Sequence, residues 1–264
     1  MNDYVNGNIA MTKRINKRQI RGNGLRLLPK KYVVQTNENY RGLSYDDIII
    51  RWHRWLLSDK PDQQSYEDIQ FLRGSVGYHK SKSSYLSASV KIPQGTGILV
   101  PIVTTHYNLG EHYQGLIIQD EFSLRRAVRE HVDAAGPFWA ILEMNERHPT
   151  VFKLVQNLES FRVESMPFEL NISEHNPFLN KMDEPTCPGI HTAMVAGYFV
   201  LLRKLPVSSY KIRFGGYGMD GFFTDSLYAI RITPREKIVK DVSSTTFSPT
   251  RLLKEKKAAI RIGT

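Results

Sequence analysis

The chain has 264 residues, a net charge of +10 and a hydrophobic fraction of 41%, enough length for one large domain with a sizeable core. Its single cysteine, Cys187, excludes an intramolecular disulfide and a cysteine-built zinc site. No apolar run reaches the ~18 residues of a membrane-spanning helix, and the N-terminus lacks the apolar stretch of a signal peptide, so a reducing compartment, the cytoplasm, is expected.

The charge is segregated. Residues 1–34 hold eight Lys/Arg against Asp3, a net +7, and residues 234–264 hold eight against three acids, a net +5. The 199 residues between them carry −2. Two basic arms flank a nearly neutral body, the distribution expected of segments that contact acidic proteins or nucleic acid. Lys13, Arg14, Lys17, Arg18 and Arg21, with Arg251, Lys254, Lys256 and Lys257, are the candidate partner-binding residues. Ile9, Met11, Ile15, Ile20, Leu25, Leu27 and Leu28 give the first arm apolar anchors, as in a segment that lies along its own or another surface.

Residues 44–58 read as a helix, with Ser44 as N-cap and Asp46 and Asp47 in the first turn, where the helix dipole favours acids. Ile48, Trp52, Trp55 and Leu56 share a face, expected to pack in a core rather than to form a ligand platform. Residues 61–82 are polar and loop-like. Tyr85–Ile92 alternates as a strand, and Ile98–Thr105 is an apolar strand in which Pro101 predicts an edge or a bulge. A second helix is expected over Asp120–Ala135, stopped by Gly136 and Pro137. Phe138–Met144, Phe161–Ser165 and Phe168–Ile172 are further strands, followed by a loop over 176–189.

Three strands close the body: Thr192–Leu205, Tyr210–Phe214 and Phe222–Ile232. Alternation in the last two puts one face in a core, and the glycine-rich 215–221 reads as the turn between them. About eight strands and two helices predict a mainly β chain. The expected form is an antiparallel β-sandwich or single jelly roll over residues 35–233, with helices in its connections and arms at 1–34 and 234–264.

The segments Trp52-His53-Arg54-Trp55-Leu56-Leu57-Ser58, Ile92-Pro93-Gln94-Gly95-Thr96-Gly97-Ile98-Leu99-Val100-Pro101-Ile102 and Gly197-Tyr198-Phe199, followed by Leu205-Pro206 and Lys211-Ile212-Arg213-Phe214, resemble a family of uncharacterised β-rich bacterial and archaeal proteins. The resemblance covers about residues 44–233 and implies a β-rich domain without a transferable activity. In architecture, a neutral jelly roll with basic arms is similar to minor capsid and penton proteins of large icosahedral DNA viruses. That resemblance implies a body that packs and arms that lace neighbouring subunits.

Candidate chemistry is sparse. His106, Glu111 and His112 place two imidazoles and a carboxylate within seven residues after a strand, a weak candidate metal site whose spacing matches no specific motif. Glu143 with Glu164 or Glu169 resembles a paired-carboxylate arrangement, and Ser226, His191 and Asp225 supply the residue types of a triad without its elbow. No cofactor motif is present. The expected function is therefore a non-enzymatic structural protein, a capsid- or penton-type subunit whose partners are further copies of the chain, other capsid-type proteins or nucleic acid. The alternatives are a carbohydrate- or ligand-binding sandwich module and a hydrolase with its site near His106–His112.

Overall fold

A computed structural model describes residues 25–59, 68–75, 83–144, 150–176, 188–219 and 223–235. The nine candidate arm residues and Cys187 lie outside the described residues. The strands are β1 (Arg26–Leu27), β2 (Val33–Val34), β3 (Ile69–Phe71), β4 (Ser83–Pro93), β5 (Gly97–Asn108), β6 (His112–Tyr113) and β7 (Leu116–Ile117), then β8 (Phe138–Met144), β9 (Thr150–Lys153), β10 (Arg162–Glu164), β11 (Phe168–Ile172), β12 (Gly189–Leu202), β13 (Ser209–Tyr217) and β14 (Phe223–Thr233); the helices are α1 (Tyr45–Leu56) and α2 (Glu121–Asp133).

Both helices start where their side chains can satisfy free backbone N–H groups. Ser44 Oγ accepts from the Asp47 N–H while Asp47 accepts from the Ser44 N–H, and Asp120 and Ser123 form the same reciprocal box at α2. The chain is mainly β. Sheet A has the order β1-β9-β8-β13-β14-β4, and sheet B runs β10-β12-β5-β3, with β11 and β2 also pairing along β12.

The sheets are mixed, which corrects the expectation of wholly antiparallel strands. β1 with β9, β3 with β5 and β4 with β14 are parallel. None of these pairs joins neighbours in sequence, so no hairpin fixes their direction. β12 carries sheet B. From Ala193 to Leu202 it is buried at every position, because alternate side chains enter two different cores. Met194, Ala196, Tyr198, Val200 and Leu202 face a cluster shared with Ile212, Phe214 and Ile230 of sheet A and with Leu124 and Val128 of α2. Val195, Phe199 and Leu201 face a second cluster with Ile48, Ile49 and Trp52 of α1. α1 thus covers the outside of sheet B, and Trp52 is a core residue whose indole N–H donates to the Leu72 carbonyl at 2.7 Å.

Pro101 sits where the β5–β12 register shifts, so it marks a bulge rather than an edge. Residues 25–34, grouped with the basic arm by composition, belong to the body instead: β1 pairs with β9, and Leu28, Val33 and Val34 are buried. The predicted turn at 215–221 begins later than expected, since Gly215, Gly216 and Tyr217 continue β13. Glycine is required there by close approach. A Cβ on Gly215 would stand 2.0 Å from the Thr224 carbonyl oxygen, and one on Gly216 would stand 2.6 Å from the Phe138 ring. No helix among the described residues is long and apolar enough to cross a membrane.

Candidate functional site

Sheet B is covered on both faces, but neither helix lies on the outer face of sheet A. Alternation fixes what that face shows. Because Ile212 and Phe214 point into the core, Lys211, Arg213 and Tyr217 point out; because Ser226 and Tyr228 are buried, Phe223, Asp225 and Leu227 point out. Register then sets the rows. Trp139, Gly215, Asp225 and Tyr85 lie side by side on four adjacent strands, and Ile141, Arg213, Leu227 and Ser87 form the next row.

Two features define this face. Arg213 grips Asp225 through three contacts of 2.7 to 3.1 Å, and the Trp139 indole N–H adds a longer one of 3.3 Å to the same carboxylate. Its hydrogen bond to Asp225 raises the Arg213 pKa further, so this guanidinium stays charged. Beside the clasp, Trp139, Tyr217, Phe223 and Tyr85 form one aromatic cluster, with ring centroids 5.1 to 6.3 Å apart. Tyr85 is 59% exposed and Leu227 40%. The missing side chain of Gly215 is what lets the Trp139 ring lie over β13 beside Asp225. The rings are inclined to one another by 34 to 76°, so they pack together and do not form a common plane.

A second locus lies between α1 and sheet B. His53 is 2% exposed, and neither of its ring nitrogens has a hydrogen-bond partner among the described residues. Its ring stands 4.5 Å from that of His106 on β5, with Phe168 of β11 packed beside it. Burial, and then the neighbouring imidazole, push the His53 pKa well below its ordinary value. Burial likewise lowers that of His106, against a smaller opposing pull from Glu111. Both rings are therefore neutral at pH 7. His53 was not among the sequence candidates, although its position four residues after Ile49 places it on the buried face of α1.

The expected metal candidates are not brought together. His106 is in this seam, Glu111 accepts from both the backbone and the side chain of Asn108, and His112 is exposed on β6. Among the described residues no three His, Cys, Asp or Glu side chains converge on a possible metal position. The triad is dispersed as well. Ser226 is buried on the inner side of β14, Asp225 faces outward, and His191 belongs to sheet B. Glu143 and the pair Glu164 and Glu169 stand in different sheets.

Glu164 instead anchors a cationic cluster. Arg125 and Arg129 of α2 each approach it to 2.7 Å, and Arg162 lies 3.8 Å away. Burial opposes ionisation of Glu164, but Arg129 and Arg125 outweigh it and hold the pKa below the usual carboxylate range. Glu164, Arg162, Ser44 and Asp46 line a cleft of about 430 Å³ at the start of α1. Burial, Asp47 and Glu164 raise the Asp46 pKa. No protein-family model, curated protein or solved structure matches this chain.

Proposed function

We propose that the chain is a non-enzymatic structural protein, a subunit of a larger assembly, whose body contacts its neighbour through the outer face of sheet A. The observation that supports this is the tilted aromatic cluster of Trp139, Tyr217, Phe223 and Tyr85 beside the Arg213–Asp225 clasp, on the sheet face that neither helix covers. Tyr, Trp, Phe and Arg are the residue types enriched in protein–protein contacts, and apolar groups left exposed together mark such surfaces. Segregated positive charge at both termini supports the same reading. In it the arms bind acidic neighbours or nucleic acid, as in the capsid- and penton-type proteins whose architecture the sequence resembles, and the two-sheet body plays the part of their jelly roll.

A carbohydrate-binding module is the second reading, favoured by the exposure of Tyr85 close to a charged fork. Rings inclined by 34 to 76° do not offer the common plane on which a flat sugar chain stacks, which ranks it below the first. Both are tested by Tyr85→Ser/Leu227→Ser, which alters two exposed side chains and leaves the core alone. The structural reading predicts that higher-order species disappear in light scattering while the far-UV spectrum is kept. Unchanged assembly, together with glycan binding that the substitution abolishes, contradicts it.

A further inference from the structure

Sheet A ends at β4, and among the described residues nothing pairs with the far edge of that strand. β4 runs beside β14 from Ser83 to Pro93, an edge of 11 residues, roughly twice a typical strand. Exposed edges of this kind are normally kept short, charged, bulged or covered, because their free N–H and C=O groups template another strand. β4 carries one charge, Lys91, and its proline is its last residue. On its inner side Leu86, Ala88 and Val90 reach the rim of the shared core yet remain only half-buried. On its outer side Tyr85, Ser87, Ser89 and Lys91 are exposed.

We propose that a second copy of this chain pairs antiparallel with β4 across a two-fold axis at Ala88, joining both copies of sheet A into one continuous sheet. Two identical strands meeting this way make an isologous contact, in which each residue faces its mirror position about the axis. Ser87 then faces Ser89, Leu86 faces Val90 and Tyr85 faces Lys91. Inward residues meet inward residues, so the half-buried Leu86 and Val90 complete the rim of each other's core.

Charge complementarity selects this register. Lys91 stands beside Arg231, whereas Tyr85 stands beside Asp225. The axis at Ala88 brings the cationic row of each copy against the aromatic and carboxylate row of the other, with an ammonium over a tyrosine ring. Moving the axis toward Lys91 brings the two lysines together and shortens the ladder. The opposite edge of sheet A is β1, only two residues long, so among the described residues pairing at β4 uses the one long edge of that sheet and closes at two copies.

The test is the mass of the smallest species of the full chain, by sedimentation in salt that screens the basic termini. The expected value is twice the chain mass. Ser87→Lys/Ser89→Lys changes two exposed outer side chains and gathers four ammonium groups at the axis, so it is expected to yield the single-chain mass with an unchanged far-UV spectrum. Ser87→Glu/Ser89→Lys sets opposite charges across the axis and is expected to keep the double mass. A single-chain mass for the unsubstituted protein at its highest soluble concentration overturns the proposal, as does a dimer equally indifferent to both substitutions. Both outcomes are read on the dimer itself, whereas the outer-face contact is read on the species above it.

Discussion

His53 and His106 show what one pair of side chains imposes on this body. Two neutral imidazoles share a seam under α1, and protonating His53 places a charge where neither ring nitrogen has a partner among the described residues. The groups facing the pair are limited. Arg54 on α1 leans over the Phe168 ring and donates to the Glu169 carbonyl, while Glu111 beyond β5 is occupied by Asn108. Both histidines have folded pKa values below the unfolded value of about 6.5, so the unfolded chain binds protons more readily. Their contribution to stability is therefore complete above about pH 6.5 and declines as the pH falls below it. Denaturant titrations at pH 7 and pH 5 are expected to show a loss of about 1 kcal/mol or more, and His53→Leu/His106→Leu is expected to flatten that slope. An equally steep acid slope in the double variant contradicts the assignment.

The elements show how much the sequence could reveal. α1 was legible because its cap, Ser44 with Asp47, is local, and α2 because Gly136 and Pro137 mark its end. β12, β13 and β14 were legible because they are long enough for burial to print a period, or an unbroken apolar run, in the residues. β1, β2 and β3 have two or three residues each, too few for any period, and they exist because a neighbouring strand supplies the ladder. Gly215 and Gly216 suggested a turn, since nothing local announces that Thr224 and Phe138 crowd them. The aromatic face required the strand register, which no local pattern contains, and His53 could be placed only by following the helical face past Trp52.

The clasp that fixes α2 to sheet B is also non-local. Glu164 on β10 is 11% exposed in its side chain and is approached by arginines 35 and 39 positions away. Removing it leaves Arg125, Arg129 and Arg162 facing one another. Glu164→Ala is expected to lower stability by about 1–2 kcal/mol, a figure moderated because Arg129 is half-exposed. A double-mutant cycle with Arg125→Ala should recover part of that loss as coupling. Strictly additive effects contradict the clasp.

At the scale of the molecule, and among the described residues, sheet B is packed on both sides while sheet A keeps one face without a helix and one unpaired edge. The residues offered by the sequence as a metal site, a carboxylate pair or a triad are dispersed among the described residues, whereas the exposed surfaces carry the residue types of protein contacts. The basic termini add charge that a compact, nearly neutral body does not need. These features support the proposal of a structural subunit.

The most direct test is the mass distribution of the full chain at low salt, beside a variant in which Lys13, Arg14, Lys17, Arg18, Arg21, Arg251, Lys254, Lys256 and Lys257 are all replaced by glutamine. A structural subunit predicts assemblies larger than the dimer for the unsubstituted chain when an acidic partner or nucleic acid is supplied. The substituted chain should then keep its folded spectrum and stop at the dimer. Identical mass distributions for the two proteins would contradict the account.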